Sequence, residues 1–339
     1  MRFIACLLAM IIVASIAGLA ACGRNDGNTV VVYTSLDQPF SEPILKAFEA
    51  QTGIDVKAVY DLEAAKTTGL ANRLVEEKRN PQADVFWSSE YAQTIGLKHA
   101  GVLAPYTSPS ANEIPSLYRD LNDHWTGFAL RARVIIVNTD LVPEEEFPQS
   151  IFDLLDPKWK GEAGIANPLF GTTATHAAAL FAFLGADEAK TFFKRLLEND
   201  VSIIDGNSVV RDMVSNGELK LGLTDTDDAF VAIERGDPVT MIFPDQADMG
   251  TLLIPNTVAM IEGAPHPEKA RQFIDYLLSE DVEKMLAHAE SRQMPVRVDV
   301  AAPGDMPSLG KLVGMDVHPQ EVADQMEVSG EWLKETFLR

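Results

Sequence analysis

Cysteine is nearly absent from this 339-residue chain: there are two, Cys6 and Cys22, both near the N-terminus. The body beyond Cys22 has none, which excludes a disulfide framework, a zinc–thiolate centre and a cysteine nucleophile. Positive charge is also scarce. With 28 lysines and arginines against 50 acids, the net charge is -22 and the pI is near 4.6. Nucleic acid demands a basic surface and is excluded as a partner, whereas an acidic surface says little about the sign of a small ligand. Histidine is limited to six scattered residues. His124, His266 and His288 fall in loop or surface-helix settings, and His176 reads as core packing, with the edge of a cleft as the alternative. No Gly-x-Ser-x-Gly elbow, His-Glu-x-x-His pair or Gly-x4-Gly-Lys loop occurs. An enzyme, for instance an exported α/β hydrolase, is therefore disfavoured, and no cofactor is expected.

One long apolar run is present. Arg2 precedes Phe3 through Ala21, which ends in Leu19-Ala20-Ala21-Cys22 and passes into polar Gly23-Arg24-Asn25-Asp26. A spanning helix needs roughly 20 apolar residues and does not usually stop at small residues of this kind. The reading is a signal peptide over 1–21 and a linker over 22–28. Leu-Ala-Ala-Cys resembles bacterial lipoprotein signals, a resemblance that implies an acylated Cys22 as the membrane anchor. The remainder, with 46% hydrophobic residues and mean hydropathy near zero, suffices for two domains with full cores.

Along that body, strands and helices alternate. Strands are predicted over 29–33, 54–60, 83–87, 132–137, 164–166, 201–204 and 219–223. Helices are predicted over 39–52, 67–78, 174–184 and from Asn207 onward, with a short one over 151–155. In an open α/β sheet ligands sit at the carboxyl ends of strands. Those ends carry Ser35, then Ser88-Ser89-Glu90, then the stretch Asn167 to Thr173, and then Thr224-Asp225-Thr226-Asp227-Asp228.

Each candidate has a plainer alternative. Gly171-Thr172-Thr173 before a helix presents N–H groups and hydroxyls to an anion, or is an ordinary N-cap by Thr172 or Thr173. Asp225, Asp227 and Asp228 repel one another unless a cation is near, or serve as helix-start acids, which suits Asp227 and Asp228 better than Asp225. Arg131 and Arg133 lie two apart on one strand and face one way, able to grip an oxyanion bidentately or to pair with acids at a hinge. Asn207 opens its helix beside them.

Four stretches carry a family resemblance: Val31 to Ser35, Ala83 to Ser88, Trp125 to Val134 and Gly217 to Leu223. With Pro255 to Ala270, in that order, they resemble the periplasmic binding proteins of ferric-iron-type ABC importers over about 30–300. The resemblance implies a type II α/β fold of two lobes joined by hinge strands, each lobe a mainly parallel sheet flanked by helices. Lobe one is placed at 29–130 plus about 256–300, and lobe two at 131–255 plus about 301–339. It implies a monomeric receptor that closes on ferric iron, with or without a synergistic anion, and delivers it to an ABC permease in the inner membrane. The alternative cargo is a phosphonate-like or other small anionic or zwitterionic solute.

One departure bears on the metal. Ferric binders of this family usually carry two adjacent tyrosines just past the strand that here ends at Leu223; this chain has Thr224 to Asp228 there, and no two of its six tyrosines adjoin. Asp225 and Asp227 are the oxygen donors left for a hard cation. The expected ligand-binding set is Ser35, Ser88, Ser89, Glu90, Arg131, Arg133, Thr172, Thr173, Asn207 and Asp225.

Overall fold

The computed structural model of the protein describes residues 26–61, 67–304, 306 and 309–337. The expected signal peptide and Cys22 lie outside the described residues. None of the described helices is long and apolar enough to cross a membrane.

The chain opens with β1 (Thr29–Thr34), α1 (Gln38–Thr52), β2 (Asp55–Tyr60), α2 (Thr68–Glu76), β3 (Val85–Ser88), α3 (Ala92–His99) and β4 (Leu103–Ala104). A 13-residue strand, β5 (Thr126–Asn138), comes next. After it stand β6 (Ala163–Ala166), α4 (Gly171–Leu184), α5 (Ala186–Glu198), β7 (Ser202–Ile204), α6 (Asn207–Ser215), β8 (Leu221–Asp225) and α7 (Thr226–Glu234). The chain ends with β9 (Val239–Ile242), β10 (Leu253–Ile261), α8 (Pro267–Leu277), α9 (Glu280–His288) and α10 (Pro319–Phe337).

Several elements differ from the pattern reading. β5 is longer than its predicted 132–137 because both of its faces are buried, so no polar alternation marks where it begins. β8 starts and ends two residues later than predicted, so Asp225 is its last residue. The stretch 151–155 is a 3-10 helix started by a Ser150 and Asp153 capping box.

The strands form a continuous hydrogen-bonded path, β2-β1-β3-β10-β5-β8-β6-β7. In its first half β1 pairs in parallel with β2 and β3, and β10 returns antiparallel between β3 and β5. In the second half β8 is antiparallel to β5 and parallel to β6, which is parallel to β7. Only β5 belongs to both halves, while β4 and β9 pair at the margins with β10 and β5. Alternate residues divide between two apolar clusters. Tyr33, Phe86, Ile135 and Val137 go to one, and Val30, Val32, Val85, Trp87, Val134 and Ile136 to the other. That period of two is the pleat of a sheet covered on both faces.

The junction of the halves is irregular. The β5–β10 register pairs Leu130 with Pro255 and Phe128 with Asn256, leaving Ala129 as an extra residue. Ala129 is a bulge with φ 46, and its carbonyl accepts from Asn256 Nδ2 at 2.6 Å. A bulge bends a strand and re-aims the side chains beyond it. Here those side chains include Arg131 and Arg133.

Candidate functional site

The carboxyl ends of β1, β3, β6, β7 and β8 converge where the two halves of the sheet meet. Between them lies a small cavity lined by Ser89, Arg131, Thr172, Thr173, Asn207 and Asp225, with Asn167, Phe170, Gly171, Asp205 and Gly206 completing its wall. Its volume is ≈ 20 Å³, room for about one water-sized occupant.

Asp225 organises the centre. It stands opposite Arg133 in the antiparallel register of β5 and β8, so the strands themselves bring the pair together. Arg133 Nη1 reaches Asp225 Oδ1 at 2.7 Å, and Arg131 Nη1 lies 3.2 Å from both Asp225 Oδ2 and Asp227 Oδ2. Thr172 Oγ1 donates to Asp225 Oδ2 at 2.6 Å, and Asn207 Nδ2 donates to the same oxygen at 3.2 Å. Four donors nearly saturate a carboxylate. Burial would raise this carboxyl, but Arg133 and Arg131, with the Thr172 hydroxyl, hold it below the usual range. Burial likewise opposes the Arg131 charge, and Asp227 and Asp225 outweigh it, so Arg131 stays a firm cation.

Arg133, fully buried, also donates to Thr172 Oγ1 at 3.2 Å, Asn207 Oδ1 at 3.1 Å and Thr173 Oγ1 at 3.3 Å. Two guanidiniums against the carboxylates of Asp225 and Asp227 leave the group near neutrality, the arrangement under which buried ions are tolerable. The Nε of Arg131 and of Arg133 remain buried with no partner among the described residues.

Helix starts add to this polarity. Gly171, Thr172 and Thr173 form the first turn of α4, with Phe170 as N-cap, so the alternative of a threonine cap does not hold. The turn is entered through Gly171 at φ 55, in the left-handed region that glycine adopts without a steric cost. No side chain caps α4, α6 or α7. The first-turn N–H groups of an uncapped helix carry partial positive charge and favour an anion.

The predicted residues therefore divide. Ser89, Arg131, Thr172, Thr173, Asn207 and Asp225 line the cavity, and Arg133 stands one hydrogen bond behind them. Ser35 lies behind Ser89, its hydroxyl accepting from Ser89 N at 2.9 Å and donating to Ser89 Oγ at 3.2 Å. Ser88 Oγ accepts from Glu90 N, and neither Ser88 nor Glu90 is in the cavity wall. Asp227 accepts from Arg131, while Asp228 turns to Arg211 at 3.3 Å and to the Thr224 hydroxyl. The oxygens of Asp225, Asp227 and Asp228 lie within 4.8 Å of one another, with the Arg131 guanidinium bridging Asp225 and Asp227. Asn167 belongs to the stretch already read at the end of β6, whereas Asp205 and Gly206 were not anticipated. The rule that finds strand ends would have found them, since they immediately succeed β7.

His176, one turn into α4, is buried beside this group. Burial first, and then Arg133, push its imidazole down to about 3, with Asp225 opposing.

Comparison with known proteins agrees with the fold. The model of a family described as bacterial extracellular solute-binding protein matches residues 44–312. Iron uptake protein A1 of Synechocystis sp. is 27% identical over 313 residues, covering 86% of this chain and 85% of that protein. A putative 2-aminoethylphosphonate-binding periplasmic protein of Salmonella typhimurium is 26% identical over 296 residues, covering 84% of each. Among solved structures, iron-bound HitA from Pseudomonas aeruginosa superimposes with a TM-score of 0.82 at 26% identity, covering 90% of this chain and 99% of that one.

Proposed function

The chain belongs to the bacterial extracellular solute-binding proteins, and from that membership we propose that it is the receptor of an ABC importer whose cleft takes a small solute by an oxyanion group. It is a binding protein and not an enzyme. The observation that carries the oxyanion reading is the uncapped first turn of α4 set against the Arg131–Arg133–Asp225–Asp227 group around one small cavity. First-turn N–H groups and the remaining donor of Arg131 favour phosphonate, phosphate or carboxylate oxygens. Asp205, exposed at the rim, offers a carboxylate to an ammonium, which suits an aminophosphonate-like zwitterion. The Salmonella relative bears the name of such a ligand.

A second reading is ferric iron: the Synechocystis relative is named for iron uptake, and the Pseudomonas structure is iron-bound. No tyrosine lines the cavity, and the oxygens of Asp225 already accept from four side chains. Iron would accordingly enter with a synergistic anion, the anion taking the α4 turn and the metal taking oxygens of that anion and of Asp225 or Asp227.

We place the hinge at Ala129 and Asn256, and the lobes at 29–130 with about 256–300 and 131–255 with about 301–339. The receptor works as an exported monomer, anchored by an acylated Cys22 after removal of residues 1–21, and hands its solute to a membrane permease.

Titration calorimetry with 2-aminoethylphosphonate, inorganic phosphate and ferric iron with and without citrate tests the ligand. Saturable binding of an anion alone, weakened by Arg131→Lys by about 1.5–3 kcal/mol, is the expected result. Tight binding of iron without any anion overturns the oxyanion reading.

A further inference from the structure

Glu90 is fully buried although it does not line the cavity. Its Oε2 accepts from Ala92 N at 2.5 Å and its Oε1 from Gln93 N at 3.0 Å, so it serves the N-terminal turn of α3. The remaining partner comes from the other half of the molecule: Thr175 Oγ1, on α4, donates to Glu90 Oε2 at 2.8 Å. α3 comes after β3 of the first half-sheet and α4 after β6 of the second, so this bond crosses the cleft. Thr175 is itself fully buried. A second link runs beside it, from Arg131 Nη2 to the Ser89 carbonyl.

A carboxylate can leave water only if every hydrogen bond it loses is replaced. The α3 N–H groups stay with Glu90 whether the halves are apart or together, because they lie two and three residues along its own chain. Thr175 is the one of these three partners that lies on the other half of the molecule, and it is outside the cavity wall.

We propose that Glu90 and Thr175 form an interlobe latch, a positioning contact that populates the closed form without solute and slows release once solute is held. The proposal rests on the reading of the chain as a two-lobed receptor. It differs from the expectation that Glu90 contacts the ligand.

The test uses Thr175→Val, which keeps the shape and removes the hydroxyl, and Thr175→Ser, which restores it. Spin labels at Glu76→Cys on α2 and Glu188→Cys on α5, both exposed, report open and closed distances in protein carrying Cys22→Ser. Without solute, Thr175→Val should lower the closed-to-open ratio by about tenfold, as for one hydrogen bond to a charged group, and Thr175→Ser should recover it. Where 2-aminoethylphosphonate binds, its dissociation should accelerate by a similar factor with association unchanged. A wild type with no closed population in the absence of solute, or an unchanged ratio in Thr175→Val, overturns the latch. Failure of that phosphonate to bind leaves the distance comparison intact and bears only on the ligand.

Discussion

Asp225 is the side chain on which most of the cleft depends, because it neutralises two guanidiniums that the fold has removed from water. Asp225→Asn keeps the shape but leaves Arg131 with Asp227 alone and Arg133 without an ionised partner. Breaking a buried pair in this way costs about 3–5 kcal/mol. Urea unfolding should show a loss of that order, whereas Asp228→Asn, whose partner Arg211 also pairs with Asp212, should cost less than about 1 kcal/mol. His176 sets a pH dependence of opposite origin. Its imidazole protonates near 6.5 in the unfolded chain but only at about 3 when folded, so below 6.5 the unfolded state takes up a proton that the native state refuses. The stability tied to His176 is thus complete above pH 6.5 and declines as pH falls toward 3, by up to about 1.4 kcal/mol per unit. Unfolding measured between pH 7 and 5 should show a shallower decline in His176→Gln than in the wild type. The charges of this region were legible in the sequence; their mutual neutralisation was not, since it depends on the cross-strand register that sets Arg133 against Asp225.

Among the elements, α6 shows how packing delivers a functional side chain. It lies directly on β6 and β8, and Gly222 gives it room on β8. A Cβ on Gly222 would stand 2.4 Å from Val210 Cγ1 and 3.0 Å from the Gly164 carbonyl oxygen. Gly222→Ala must therefore lift α6 and with it Asn207, which bonds Arg133, Thr172 and Asp225 from the start of that helix. The expected result is a stability loss of about 1–3 kcal/mol by chemical denaturation, together with weaker solute binding. Gly222 is not marked by sequence pattern, because it sits inside an apolar strand run. The helix beginning at Asn207 was readable from its spacing, whereas the seat beneath it was not.

For the molecule as a whole, β5 is the element that makes two halves one protein, and the C-terminal helix is a second tie. α10 packs along α4 through Phe181 and Trp332, with ring centroids 6.1 Å apart, and meets α5 through Phe193 and Phe337 at 6.2 Å. Its N-terminal end also reaches α3 of the first half, where Gln320 Nε2 lies 3.1 Å from His99 Nε2. The tail assigned to lobe two thus touches both halves. At this scale belongs the anchoring expectation: Cys22→Ser should move the protein from the membrane fraction to the soluble fraction of cells. Retention of the variant on membranes after a high-salt wash would rule out the lipid anchor.

The order of strands and helices, the polar strand ends and the lack of cysteine chemistry were determined by the sequence itself, because periodicity and composition are local properties. So was the family resemblance, carried by stretches such as Ala83 to Ser88 and Trp125 to Val134. Only the tertiary structure decided which polar residues meet. Thr172 and Thr173 became first-turn residues because Gly171 could take a positive φ, and Glu90 lies outside the cavity wall, bonded to Thr175 of α4. Asp225 found Arg133 through a register set by long-range pairing. Such contacts join residues as far apart as Arg131 and Asp227, 96 positions, and no local pattern encodes a distance that arises only when both halves of the sheet share β5.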